Sequence, residues 1–150
     1  MMLLYMYDLA RLLPHRPPLL LIDRICEVDL AGGQLQAERL LAADDPLGPL
    51  RPLLVVEALC QAAACLNGLE RLAAGETRQH RGYLVSISGF DFPRPEGRPD
   101  GGGERLLLRV RREARLGQMV SFASEAEVKG LGGTGHLVAR GRLLFAVTFT

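Results

Sequence analysis

The sequence predicts an α+β domain in which an antiparallel sheet wraps around one long central helix, and three observations predict it. Leu53 to Leu66 is apolar on every side except at Glu57 and Gln61. Leucine and alanine dominate this run, which favours helix, and a helix that is apolar all round must be buried all round. In a chain of 150 residues, only a sheet curled about that helix supplies enough cover. Two later stretches then alternate with period two. Val120, Phe122, Ser124, Ala126 and Val128 share one face of the first, and Leu137, Ala139, Gly141, Leu143, Phe145, Val147 and Phe149 share one face of the second. The length suits one domain, expected over residues 1–150.

Element by element, Tyr5 to Leu13 predicts a short helix, ended by Pro14 and the turn His15-Arg16-Pro17-Pro18. Leu19 to Leu30 reads as a strand, Ala31-Gly32-Gly33 as a turn, and Gln34 to Leu41 as the hairpin partner. A loop from Ala42 to Pro52 holds Asp44, Asp45 and three prolines. The helix from Leu53 to Ala74 turns polar at Glu70 and Arg71, so its end should emerge into solvent before Gly75. Gly82 to Ser88 is a further strand, followed by a loop from Pro93 to Gly103 and a segment, Leu106 to Val110, that alternates only in part. With the two alternating strands the order is β-β-α-β-β-β-β, and the chain shows neither repeats nor an interior linker.

Hydrophobic residues make up 48% and charged residues 23%, with a net charge of +1. That is the composition of a folded domain, with no overall field to draw nucleic acid or an anionic membrane. Arg109, Arg111, Arg112 and Arg115 read as the solvated face of a strand, or more sharply as a docking patch for an acidic partner. Cys26, Cys60 and Cys65 are odd in number and lack CxxC spacing. A disulfide framework or zinc site is therefore not expected, and a reducing cytoplasm is. The N-terminus has no basic segment of the kind that opens a signal peptide. The longest apolar run, interrupted by Glu57 and Gln61, falls short of the ~20 residues of a membrane span. Gly130-Leu131-Gly132-Gly133-Thr134-Gly135 matches G-x-G-x-x-G, but a strand follows it, which makes it a hairpin loop and not a dinucleotide site. His15, His80 and His136 have no metal-like spacing, so neither metal nor cofactor is expected.

Glu57 is the most informative residue. A lone carboxylate in an apolar helix needs a proton, a hydrogen-bonded partner or a water-filled pocket. Gln61, four residues on, lies on the same helical face within reach of it. A structural hydrogen bond near the helix start and a working carboxylate are both open on the residues alone.

Two segments carry a family resemblance. Leu13-Pro14-His15-Arg16-Pro17-Pro18-Leu19-Leu20-Leu21-Ile22-Asp23-Arg24 resembles the "LPHRxPxLLxDR" opening of 3-hydroxyacyl-[acyl carrier protein] dehydratases. Val55-Val56-Glu57-Ala58-Leu59-Cys60-Gln61-Ala62-Ala63 resembles that family's central-helix "IIEALAQAA". Weaker echoes continue through Phe92, Pro95 and Gly103 to Val110. The resemblance implies a hotdog fold and a dimer with sites at its interface. There, a histidine of one subunit and the helix carboxylate of the other remove water from a 3-hydroxyacyl thioester. It implies Glu57 as the catalytic carboxylate, with Gln61, Leu53 and Leu54 binding substrate.

The departures are as informative. The family's catalytic histidine lies in a "GHFPxxPxMPG" loop just before the helix. Here the stretch is Asp45-Pro46-Leu47-Gly48-Pro49-Leu50-Arg51-Pro52, shorter and without histidine. His15 belongs to the opening motif and does not replace the missing one. Counted back from Glu57, the family glycine whose N–H polarises the thioester carbonyl falls on Pro52, which has no N–H. The expectation is a dehydratase-like protein acting on or binding acyl carrier protein or coenzyme A thioesters, inactive as a stand-alone dehydratase. It would form a homodimer or a hetero-oligomer with a related hotdog subunit. The alternatives are a non-catalytic, acyl-binding partner of an intact dehydratase, and a thioesterase whose helix carboxylate activates water.

Overall fold

A computed structural model describes residues 9–78, 80–93, 103–130, 132–133 and 135–149. In chain order the elements are α1 (Leu9–Leu12), β1 (Arg24–Asp29), β2 (Gln34–Leu41), α2 (Pro52–Ala73), β3 (His80–Asp91), β4 (Glu104–Leu116), β5 (Met119–Lys129) and β6 (Gly135–Phe149). The six strands form one sheet in the order β1-β2-β4-β5-β6-β3, every neighbouring pair antiparallel. The sheet curls around α2, as the alternation and the apolar helix predicted. The expected helix over Tyr5 to Leu13 is present as α1, and its first part lies outside the described residues.

Helix α2 begins with Pro52 in its first turn, where a missing N–H costs nothing and the fixed φ suits the helix. It ends as a Schellman motif. Glu76 N–H reaches Arg71 O at 2.9 Å, Gly75 N–H reaches Leu72 O at 3.1 Å, and Gly75 takes φ +79°, a region glycine enters at no steric cost. By length and composition α2 could cross a membrane, but 72% of its most apolar window is buried inside the fold, which is the setting of a core helix. Ala58, Leu59, Ala62, Cys65 and Leu66 are sealed against the inner faces of Leu106, Leu108, Phe122, Ala126 and Leu143. Each fully buried leucine here contributes about 1.5–3 kcal/mol relative to exposure.

Two expectations are corrected. The strand expected over Leu19 to Leu30 is confined to β1, Arg24–Asp29. The reason is that backbone groups before it are taken elsewhere: Leu21 N–H goes to Gln61 Oε1 (2.8 Å), and Leu20 O receives Arg39 Nη1 (3.0 Å). The arginine run on β4 is not a simple solvated face. The β4–β5 register shifts between Arg112 and Ala114, and such a bulge re-aims the side chains after it. Arg112 pairs with Glu70 of α2, and Arg115 Nη2 lies 3.4 Å from Asn67 Oδ1 of the same helix. The partial alternation of β4 also has a cause: Leu107, on the outer face, is only 4% exposed between its cross-strand neighbours Glu38 and Glu127.

Strand β3 is the outlier. It occupies one edge of the sheet, and Tyr83, Leu84, Val85 and Ile87 are exposed although successive residues point to opposite faces. An apolar edge strand uncovered on both faces is a template for another chain.

Cys60 and Cys65 are buried packing residues, and burial pushes both thiols up to about 12, Glu57's charge adding to the effect at Cys60. Both should therefore resist alkylation at pH 8 until the protein is denatured. The sign at alkaline pH follows: unfolded thiols lose their protons from about pH 9, folded ones only near 12, so stability should fall across that window. Urea midpoints measured from pH 8 to 11 would check this, and a midpoint that rises with pH would contradict it.

Candidate active site

The two segments that carried the resemblance are docked on each other. Gln61, 1% exposed, accepts the Leu21 N–H across 40 residues of chain and donates Nε2–H to Leu19 O at 2.9 Å. The turn beyond is tied by Arg16, whose Nη1 donates to Leu13 O (2.9 Å) and whose carbonyl accepts from Leu19 N–H (2.8 Å) and Leu20 N–H (3.1 Å). Arg39 joins the same loop to Asp45 at 2.9 Å, and Asp45 in turn accepts the Leu47 N–H at 2.8 Å.

This docking sets His15 against Glu57, with Nε2 3.4 Å from Oε1. Gln61 Nε2 reaches the same oxygen at 3.3 Å, as the four-residue spacing predicted. Nothing among the described residues bonds Oε2. Glu57 is not enclosed, since its side chain is 48% exposed, against 31% for His15. The expectation of a buried carboxylate is thus corrected: the sheet stops short of the helix start, and Leu53, one turn earlier on the same face, is 81% exposed. Leu54 turns inward and packs partly against the core.

Gln61, expected to bind substrate, instead spends its amide on Leu19, Leu21 and Glu57 beneath the opening loop, so its part is to hold the site together. His15 was set aside in the sequence as belonging to a proline turn, and the structure makes it Glu57's neighbour. No local signal reveals that contact, because it depends on how the turn lands on α2.

The stretch before α2 carries no imidazole. Leu47 is fully buried and anchors it, Arg51 stands at the N-cap without a side-chain cap, and Pro52 presents no N–H. His80 lies tilted against Phe149 at 6.3 Å, and His136 is exposed on β6. Among the described residues, no group of three His, Cys, Asp or Glu side chains could hold a metal ion. A groove of about 1130 Å³ crosses the outer face over Gln36, Arg109, Glu125 and Arg140, but no residue of α2 lines it, so it is not the space around Glu57.

A family model described as ApeP dehydratase, ApeP-like, matches residues 7–146. The chain belongs to the ApeP-like dehydratase family. Curated relatives agree with this placement. The 3-hydroxyacyl-[acyl-carrier-protein] dehydratase FabZ of Anaeromyxobacter dehalogenans is 34% identical over 129 residues, 81% of this chain and 80% of that protein. The FabZ of Chloroflexus aggregans is 32% identical over 154 aligned positions, 97% of both chains. Among solved structures, the dehydratase heterocomplex ApeI:P of Xenorhabdus doucetiae superposes with a TM-score of 0.70 at 19% identity, covering 93% of this chain and 90% of that one. A thioesterase family protein of Silicibacter pomeroyi superposes at 0.59 with 12% identity, covering 85% of each chain. These superpositions establish the hotdog fold. Against the dehydratase pattern that its opening and helix motifs resemble, this chain has a carboxylate on the helix, Glu57, and no histidine in the loop before it.

Proposed function

We propose that this ApeP-like protein is one subunit of a mixed hotdog dehydratase acting on 3-hydroxyacyl thioesters. It supplies Glu57 to a site whose imidazole comes from a histidine-bearing hotdog partner. The observation that carries this reading is the asymmetry at the start of α2. Glu57 stands exposed with Oε2 unbonded among the described residues, while the stretch ending at Pro52 offers no imidazole and Pro52 itself no N–H. His15 does not fill the vacancy. An acid and a base that flank a substrate must leave a gap for it, and a 3.4 Å separation leaves none.

The bare β3 edge supports the same reading, because a second hotdog pairing there would extend the sheet and cover Tyr83, Leu84, Val85 and Ile87. The Xenorhabdus relative of like fold is itself described as a heterocomplex. Light scattering at micromolar concentration should accordingly give a mass well above the 16.4 kDa of one chain, and a monomer would refute assembly through this edge. The decisive test mixes the protein with a hotdog dehydratase whose loop before the central helix carries a histidine. Enoyl formation and thiol release from 3-hydroxyacyl thioesters are then followed separately. Enoyl product from the mixture alone supports the reading. Thiol release by the lone chain would favour a thioesterase instead.

A further inference from the structure

We propose that His15 is a positioning residue for Glu57. Together with Gln61 it holds Oε1, so that Oε2 is the oxygen presented to the substrate. This deepens the reading above and rests on Glu57 being the working carboxylate. A half-exposed glutamate left to itself spreads over many rotamers, and ordering such a side chain costs conformational entropy. Here two nitrogens from different parts of the chain face one oxygen: Gln61 Nε2 donates to it at 3.3 Å, and His15 Nε2 stands 3.4 Å away. Gln61 is fixed by its bonds to Leu19 and Leu21, and the histidine turn is fixed by Arg16.

The tautomer follows from what each ring nitrogen faces. His15 Nδ1 is buried with no hydrogen-bond partner and goes unsatisfied in either tautomer. Nε2 faces a carboxylate oxygen, which can only accept. The neutral ring therefore keeps its proton on Nε2, the nitrogen facing Oε1. The contact is long for a hydrogen bond, and such contacts tighten once a substrate excludes water. His15 acts through Glu57 and touches no reacting atom, so its loss should slow turnover without weakening substrate binding.

The test uses the mixed complex and the unaltered chain. In the complex, His15→Ala should lower kcat roughly ten- to a hundredfold with KM unchanged. His15→Gln, whose amide can place an N–H where Nε2 was, should restore most of that rate. Nitrogen-15 spectra of the unaltered chain should show His15 as the Nε2–H tautomer, with a resonance that moves in Glu57→Gln. A wild-type kcat in His15→Ala, when Glu57→Gln is dead, overturns the positioning role alone. A Glu57→Gln complex that keeps its rate overturns the underlying reading as well. An Nδ1–H tautomer, or a His15→Gln variant as slow as His15→Ala, overturns the proposal even if His15→Ala fails to fold.

Discussion

Glu57→Gln should abolish dehydration by the mixed complex, and the chain purified by itself should form no measurable enoyl product from a 3-hydroxyacyl thioester. Elimination needs a base for the α-proton, an acid for the departing hydroxyl, and donors for the enolate oxygen. Glu57 can perform one of the two proton transfers. A missing acid–base group removes about 10²–10⁴ in rate, or about 3–5 kcal/mol of transition-state stabilisation. The oxyanion donor absent at Pro52 removes a further factor of about 10²–10³. Together these losses bring the lone chain to background. In the complex, the amide of Glu57→Gln keeps the shape and loses the proton transfer. The check is absorbance of the enoyl thioester with each protein alone and with the two combined. Steady turnover by the homogeneous wild-type chain would end the two-subunit reading.

The largest effect on stability is expected from Phe122→Ala. Phe122 is 1% exposed on the inner face of β5, and its ring meets Phe145 edge-on at 5.8 Å. Removing it opens a cavity between the sheet and α2 that close-packed neighbours fill only in part, at a cost of about 3–5 kcal/mol. The aromatic pair adds about 0.5–1.5 kcal/mol that an aliphatic replacement would also forfeit. For a domain of this size, each kcal/mol lowers Tm by roughly 2–4 °C, so a fall of about 6–20 °C is expected. Calorimetry or urea titration of the purified variant reads it directly, and a loss below about 1 kcal/mol would mean that β5 does not close on the helix as described.

Where local pattern determines structure, the sequence was legible. Strand β2 has the bounds that its flanking turns predicted, α2 lies within a residue of the expected helix at each end, and the period of two picks out every buried residue of β5. What the sequence withheld depends on distant partners. Leu19 to Asp23 has a strand's composition, yet Gln61 and Arg39 claim its backbone groups from elsewhere in the fold. Arg115 changes face through one irregularity in the ladder, which no residue in the run announces, whereas Arg112 faces α2 by the same alternation as Leu108 and Val110. For the candidate site, Glu57 and its bond to Gln61 were visible as a spacing, whereas its exposure and the approach of His15 come from the way the loop settles on the helix.

The start of α2 also bears on how such a chain can change over evolutionary time. Pro52 sits where proline suits a helix, and a proline at a compatible position typically stabilises a protein by about 0.4–1 kcal/mol through the unfolded chain. Just before it, Leu50 holds φ +55°, a conformation that fits this short connection. A lineage returning to a self-sufficient site would have to give up the proline, lengthen the loop and acquire an imidazole. The first step alone lowers stability, and none of the three improves catalysis until the others are present. Under the two-subunit reading, such a change passes through intermediates that selection does not favour, and the local energetics of a single helix start would hold the arrangement in place.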